Sequence, residues 1–291
     1  MRSLHAASQV ERWCAAALEL RALGGGTSRS QWPEQGATPE SLRQGEAAVR
    51  KVLAAEQRDL APRHLGEALM VLARLLWGRA WDPHGGPPDA ALLAEAVALS
   101  RQARALLGLS TVQLVLEALE LEASQLPPEE QLALWDEARG LFAAEAEPLL
   151  AADEGYRRNL DYARRRALRG LSEAHAALGQ AEPALARAHE AVLTLEAVVS
   201  PGLDPGEESA LRRWLARLLA QADRRPEAEA VLRAARESTR RNSWELTAEL
   251  VELLLQRGDR AGARAAVEDL ARLRGPDNRE VRLLMDRTAP P

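Results

Sequence analysis

The strongest constraint on the fold is a pattern of large and small apolar residues that occurs three times in the second half of the chain. The small residues Ala184, Ala228 and Ala263 mark the same place in the three occurrences and lie 44 and 35 residues apart. The longer interval contains a Pro/Gly-rich segment at 200–206. Self-similarity at a period of roughly 34 residues is typical of helix–turn–helix repeats. The second half of the chain is therefore predicted to consist of helical hairpins.

The kinds of apolar residue indicate that the helical prediction applies to the whole chain. Isoleucine is absent, Phe142 is the only phenylalanine, and Tyr156 and Tyr162 are the only tyrosines. Alanine and leucine, which lose little side-chain freedom in a helix, supply most of the apolar surface, whereas β-branched and aromatic residues favour strands. We find no convincing strand and predict an all-α fold.

Proline, glycine and capping residues recur at intervals of about one helix, which predicts roughly thirteen helices. Pro39 and Pro128 lie in predicted first turns, where a missing N–H costs nothing, and Gly24 and Gly179 follow predicted helix ends. The predicted helices span about 3–23, 38–60, 63–81, 89–107, 111–124, 127–146, 153–178, 183–199, 207–222, 226–240, 243–257, 259–274 and 277–287. Their order indicates six antiparallel pairs and a final capping helix.

The three occurrences can be aligned residue by residue as large, large, small, large, glycine, small, large and small. The first consists of Leu168, Leu171, Ser172, His175, Gly179, Ala184, Ala188 and Ala191. The second is assigned to Leu211, Trp214, Leu215, Leu219, Asp223, Ala228, Leu232 and Ala235. The third is assigned to Thr247, Leu250, Val251, Leu254, Gly258, Ala263, Val267 and Leu270. Small residues at the inner positions let the two helices of a hairpin approach closely.

This pattern resembles the tetratricopeptide repeat (TPR) family over residues 164–274. The resemblance implies a right-handed α-solenoid of about six antiparallel helix hairpins, with a capping helix at 277–287. Residues 1–291 are interpreted as a single helical-repeat domain, in which 1–150 form degenerate hairpins and 153–274 form TPR-like repeats. The alternative is a helical domain of mixed hairpins with a few repeats at its end.

Charge and cysteine content disfavour several classes of partner and compartment. The formal net charge of −5 and the pI of about 5.7 would repel a phosphate backbone, so nucleic acid is not predicted as a partner. Cys14 is the only cysteine, which disfavours redox chemistry. The N-terminal stretch lacks the unbroken apolar run of a signal peptide, and no segment approaches a membrane span of about 20 apolar residues. The protein is predicted to be cytoplasmic.

Catalytic and metal-binding motifs are missing from the sequence. There is no Gly-rich phosphate loop, HExxH, paired CxxC or GxSxG. The five histidines are scattered and no two are spaced to share one helical face; His175 is interpreted as a packed residue of the repeat. We therefore predict no enzymatic activity, no cofactor and no metal.

In the TPR-like solenoid implied by the resemblance, the first helix of each hairpin lines the concave side. The side chains predicted to lie there and contact a partner are Asn159, Tyr162, Arg166, Arg169 and Glu173 on one first helix and Arg212 on the next. Converging guanidinium groups favour a carboxylate, either an acidic side chain or a chain terminus. The alternative is a solvated face whose Glu and Arg side chains pair with one another.

A second candidate surface lies on the predicted helix before Trp81. Its stripe contains the interface-favoured residues Met70, Arg74, Trp77 and Trp81, together with Arg63 and Glu67. Tryptophan, methionine and arginine are enriched at the centres of protein interfaces. The alternative is that these tryptophans fill volume in an alanine-rich core.

The predicted function is a scaffold or adaptor that binds a partner protein or peptide in the groove of the superhelix. The Lys and Asn carboxylate clamp of the family is not reproduced, so binding of chaperone C-termini is not implied. The alternative is a regulatory sensor whose helical repeats bind a small ligand or signalling peptide and switch a partner. The partner, the pathway and the oligomeric state do not follow from the sequence.

Overall fold

A computed structural model describes residues 39–56, 58, 60–81, 87–143, 153–197, 205–238 and 243–289. These residues form twelve α-helices and one 3-10 turn, with no strand among them. The helices are α1 (Pro39–Glu56), α2 (Pro62–Ala80), α3 (Ala90–Leu106), α4 (Val112–Ala123), α5 (Pro128–Ala143), α6 (Glu154–Ala177), α7 (Ala181–Ala197), α8 (Pro205–Gln221), α9 (Arg225–Ser238), α10 (Ser243–Gln256), α11 (Arg260–Arg274) and α12 (Arg279–Thr288). The all-α prediction is confirmed. The helix predicted at 3–23, with Cys14, lies outside the described residues.

The chain divides into two compact units. The first unit comprises Met1–Glu130 and Gly140–Ala163, and the second comprises Gln131–Arg139 and Arg164–Pro291. The three occurrences of the repeat pattern, over residues 164–274, all belong to the second unit, although α6 begins in the first. The interpretation of residues 1–291 as a single domain remains a prediction.

Small residues allow close helix packing in the first unit. A Cβ on Gly66 of α2 would lie 3.0 Å from Leu107 Cγ and 3.2 Å from the carbonyl oxygen of Ala103, at the end of α3. Ala73 and Ala96 are also fully buried on these two helices. Residues without bulk at a crossing bring two backbones together and leave the neighbouring leucines to fill the core. α2 and α3 therefore form a tightly packed pair.

The three hairpins of the second unit turn in the same way. Gly179, Asp223 and Gly258 have φ values of 71°, 60° and 78°, in the left-handed region. Each donates its N–H to the carbonyl three residues earlier at 3.0–3.1 Å, and the next residue donates to the carbonyl four residues before the turn residue at 2.8–2.9 Å. This pair of hydrogen bonds defines the Schellman motif that ends a helix. Asp223 takes the position of a glycine because aspartate tolerates this region better than most residues.

The second helix of each hairpin begins at the same distance from its turn. The N–H groups of Ala184, Ala228 and Ala263 each donate at 3.1 Å to the carbonyl of the residue after the turn residue. All three alanines are completely buried, as their role at the inner crossing requires. The hairpins of the second unit are thus structurally equivalent and TPR-like.

The register assigned to the first part of the second repeat is one residue too early. With the turn residues aligned, Arg212, Leu215 and Ala216 occupy the positions of Leu168, Leu171 and Ser172. The sequence assignment placed Leu211, Trp214 and Leu215 there. The error arose because Leu211 is also apolar and buried, so the alternation of large residues did not separate the two registers.

Several helix boundaries differ from the prediction, mostly where proline allows a start. α8 begins at Pro205, within the segment predicted as a loop, because proline is accommodated in a first turn. α7 begins at Ala181, which places Pro183 in its first turn. α1 ends at Glu56, four residues before its predicted end.

α12 covers the end of the second unit, as predicted for a capping helix. Its N-cap Asn278 accepts hydrogen bonds from the N–H groups of Glu280 and Val281 at 2.9 and 3.3 Å. Val281 and Leu284 are buried in the core shared by the second-unit helices. The outer side of this helix carries the charged residues Arg282, Asp286 and Arg287 together with the exposed Leu283, so the apolar core ends on a largely solvated surface.

Candidate functional site

The first helices of the three hairpins, α6, α8 and α10, leave equivalent side chains accessible. These side chains lie 13, 10 and 6 residues before each turn residue, and most residues between them are buried. We call this surface the first-helix face and define it by Arg166, Arg169 and Glu173 on α6, Ala210, Arg213 and Arg217 on α8, and Glu245, Ala248 and Glu252 on α10. Three accessible strips thus recur at the same place in three successive hairpins.

Specific contacts hold α6 against α8 within the second unit. Arg165 donates through Nε and Nη2 to the two carboxylate oxygens of Glu207 at 2.6 and 2.9 Å. Trp214 Nε1 donates to Ser172 Oγ at 2.9 Å, and this hydroxyl donates to the carbonyl of Ala184 at 2.7 Å. A bidentate ion pair and a buried hydrogen-bond chain fix the relative register of the two helices. The strips of α6 and α8 therefore keep a fixed alignment.

On α6, two arginines of the first-helix face share one carboxylate. Arg169 Nε donates to Glu173 Oε1 at 2.8 Å, and Arg166 Nη1 donates to Glu173 Oε2 at 3.3 Å. The guanidinium of Arg166 also lies 5.3 Å from the ring centroid of buried Trp135, a cation–π geometry. The predicted charged face is therefore internally paired at this end, as its alternative interpretation expected.

Between α8 and α10 the face carries a cluster of two arginines and two glutamates. Arg213 pairs with Glu245 through Nη1 and with Glu249 Oε1 through Nη2, the latter at 3.3 Å. Arg217 also donates to Glu249, and this hydrogen bond is the main cause that raises the pKa of Arg217, with burial acting in the opposite direction. Glu249 therefore bridges two guanidinium groups of the neighbouring helix.

The sequence missed Arg213 and Arg217 because of the one-residue register error. It selected Arg212, whose position corresponds to the core-facing Leu168 and Thr247. Arg212 is only 13% exposed and donates to Glu208 at 3.0 Å. Ser238 of α9 donates to the same Glu208 carboxylate at 2.7 Å, so Arg212 lies toward α9 and away from the first-helix face. A turn-anchored alignment would have identified Arg213.

The other two residues predicted on α6 lie in the first unit. Asn159 and Tyr162 are both exposed, and Tyr162 retains 42% of its accessible surface. They are not part of the first-helix face as defined in the second unit.

The predicted stripe of α2, in the first unit, is partly core. Met70 is completely buried, so it cannot contribute to an accessible surface. Arg74 pairs with Glu117 of α4. Trp77 is half-buried and its ring centroid lies 5.9 Å from that of Trp81, which is 42% exposed. The accessible aromatic part of the stripe is therefore the tryptophan pair at the end of α2, and the Arg63 side chain at the other end is 58% exposed.

Among the described residues, no group of three or more His, Cys, Asp or Glu side chains is placed to hold a metal ion. None of the helices described in the structure is long and apolar enough to span a bilayer.

Comparisons with known proteins reveal similarity only at the level of solved structures. No family model matches the sequence, and no curated protein matches it. One similar structure is YrrB, described as a TPR protein with an unusual peptide-binding site, at 15% identity and a TM-score of 0.40 over 83% of this chain and 99% of its own. Another is a putative kinesin light chain of Podosopora anserina with nearly identical TPR-like repeats, at 16% identity and a TM-score of 0.33 over 87% and 90%. A variant of the latter matches at 15% identity and a TM-score of 0.35 over 99% and 98%.

Proposed function

We propose that the protein is an interaction scaffold or adaptor whose second unit binds a segment of a partner protein on the first-helix face. The observation that carries the proposal is the recurrence of accessible side chains at equivalent positions on α6, α8 and α10. Equivalent positions on successive hairpins form a continuous surface that an extended or helical segment can cross. The proposed role requires no catalysis by this chain, and we assign it to the cytoplasm.

The charges of this surface favour a partner segment that carries carboxylates. Arg166 and Arg169 both donate to the carboxylate of Glu173, so two guanidinium groups lie together at this end of the face. The Arg169 side chain is 32% exposed. A guanidinium offers several donors in a fixed fork that matches a carboxylate. We therefore propose an acidic side chain or a chain terminus as the group recognised.

The internal ion pairs do not block such binding. Ion pairs with this degree of exposure contribute about 0–1 kcal/mol, because water screens them and their side chains lose entropy on pairing. A partner carboxylate that makes an equivalent pair can replace an internal one at little cost. The paired state of the free protein is therefore compatible with a binding surface.

Affinity capture with matched charge reversals tests the proposal. The protein and its variant Arg169→Glu are each used to capture partners from the native cell, with Arg272→Glu as the control. Arg272 lies on α11, is 73% exposed and pairs with Asp269 on its own helix. We avoid Arg166 because its reversal would also disturb the packing of Trp135.

A defined protein should be captured by the unmodified chain and by Arg272→Glu, and lost with Arg169→Glu at an unchanged melting temperature. Equal capture of every protein by all three chains would contradict the proposed surface. Loss of capture accompanied by a lower melting temperature in Arg169→Glu would show that the residue acts through stability.

We also propose the tryptophan pair Trp77 and Trp81 as a contact surface of the first unit. Trp81 exposes 42% of its surface at the end of α2, and large aromatic residues are enriched at interface centres. Arg74 belongs to the same stripe. This surface is tested separately, because each unit presents its own candidate residues.

A further inference from the structure

The cluster between α8 and α10 is built from two guanidinium groups and two carboxylates that belong to neighbouring helices. Glu249 Oε1 accepts hydrogen bonds from Arg213 Nη2 at 3.3 Å and from Arg217, and Glu245 accepts one from Arg213 Nη1. The Nε atom of Arg213 is buried and has no acceptor among the described residues. The two Arg213 amino groups thus reach two different carboxylates, and the bidentate pairing available to a guanidinium is not made.

The four side chains differ in how far they reach into solvent. Arg217 is 50% exposed and Glu245 is 46% exposed, whereas Glu249 is 21% exposed and Arg213 is 24% exposed. The bridging carboxylate therefore lies deeper than the Arg217 guanidinium that it neutralises. An external carboxylate can approach Arg217 from solvent without moving the helices.

We infer that Arg213 and Arg217 form a carboxylate-binding subsite that the chain's own Glu249 and Glu245 occupy in the free protein and that carboxylates of an acidic partner segment take over on binding. The inference rests on the proposed function, because it concerns the same surface. It adds an internal competitor to the site. The partner that fits is a segment of protein with acidic side chains on one side.

The spacing of the arginines indicates the form of that segment. Arg169 and Arg213 lie at equivalent positions on α6 and α8, 10 residues before their turns. Packed helices are about 8–10 Å apart. Alternate side chains of an extended chain lie on the same side at intervals of about 7 Å. An extended segment that carries acidic residues at every second or third position can therefore contact both arginines.

If Glu249 competes with the partner segment for Arg217, substitutions of these two residues should change the affinity for an acidic segment in opposite directions. Glu249→Gln removes the competing charge with little change in side-chain size, so binding of an acidic segment should become tighter. Arg217→Gln removes the guanidinium and should weaken it. Each change should be about fivefold, which corresponds to about 1 kcal/mol for an ion pair of this exposure. A merely structural ion pair predicts effects of the same sign for both variants.

The experiment uses the full chain and a fluorescein-labelled peptide of alternating glycine and glutamate. A peptide of alternating glycine and glutamine is the uncharged control, and fluorescence anisotropy measures both affinities. The variants are Glu249→Gln, Arg217→Gln and, as the matched control, Arg272→Gln, which breaks an exposed pair within α11. Melting temperatures are recorded for every variant.

The expected result is tighter binding by Glu249→Gln, weaker binding by Arg217→Gln, and binding by Arg272→Gln equal to that of the unmodified chain. Unchanged or weaker binding by Glu249→Gln overturns the inference, as does the absence of binding by every variant. The proposed scaffold function fails on a different result, equal capture of every protein by the unmodified chain, Arg169→Glu and Arg272→Glu. The two failures are therefore distinguishable.

Discussion

Gly170 in the middle of α6 should be intolerant of even one additional methyl group. An added Cβ would lie 2.4 Å from Cδ2 and Cε2 of Trp135 and 2.6 Å from its Nε1. Non-bonded carbon atoms prefer separations of about 3.5–4.0 Å. The Trp135 ring is 2% exposed, so it would have to move by about 1 Å or more within a packed core. Gly170→Ala therefore introduces overpacking at a site with no free space.

Two opposing terms determine the size of the effect. Overpacking of a core costs about 1–3 kcal/mol, and a contact this short belongs at the upper end of that range. Replacement of glycine by alanine within a helix contributes about 1 kcal/mol in the opposite direction. We expect a net loss of about 1–2 kcal/mol in the free energy of unfolding. Urea unfolding followed by far-UV circular dichroism measures this difference.

Gly140 provides the matched control, because it is also helical and an added Cβ there meets no atom within 4 Å. Gly140→Ala should stabilise the protein by about 1 kcal/mol through helix propensity alone. In a Trp135→Ala background the obstacle to Gly170→Ala is removed, and that substitution should then become stabilising as well. Stabilisation by Gly170→Ala in the unmodified protein would refute the packing described here.

Three further predictions concern a turn, a buried ion pair and an exposed aromatic residue. Asp223→Val should lower the free energy of unfolding by about 1–2 kcal/mol and Asp223→Gly should raise it, because the φ of 60° is costly for a β-branched residue and free for glycine. Chemical unfolding measures whether each variant is less or more stable than the parent. Glu207→Ala should cost about 3 kcal/mol, because it leaves the guanidinium of Arg165 buried and without its carboxylate; equal stability of variant and parent would contradict this. Trp81→Ala should change stability by less than about 1 kcal/mol and weaken capture of any partner that uses the first unit; unchanged capture would remove Trp81 from the proposed surface.

Helix formation and the position of most turns could be predicted from the sequence because both depend on neighbouring residues. Asp89 and Asp259 accept hydrogen bonds from the first N–H groups of α3 and α11, as capping residues do. Gly179 and Gly258 adopt the positive φ that ends a helix. Asp223 was recognised only through the repeat, since aspartate by itself does not predict a left-handed residue.

Only some residues of the candidate surface could be predicted from the sequence, because exposure depends on which side of each helix packs against its neighbours. Arg166, Arg169 and Glu173 lie on one side of a first helix, as the sequence predicted, although the Arg166 side chain is only 16% exposed. Met70 was assigned to a stripe on α2 by the same helical spacing. It is nevertheless completely buried, since α2 packs on more than one side. Periodicity locates a stripe of residues along one helix and contains no information about the number of neighbouring helices.

The sequence by itself determined that this chain is helical, where its hairpins turn, and that small residues recur at the inner crossings. Only the tertiary structure decided that Arg213 and Arg217 meet Glu245 and Glu249 of the next first helix. The position of a side chain around its own helix follows from the register, since consecutive residues point about 100° apart, but its partners lie on another hairpin. Contacts between hairpins then determine which charges become partners.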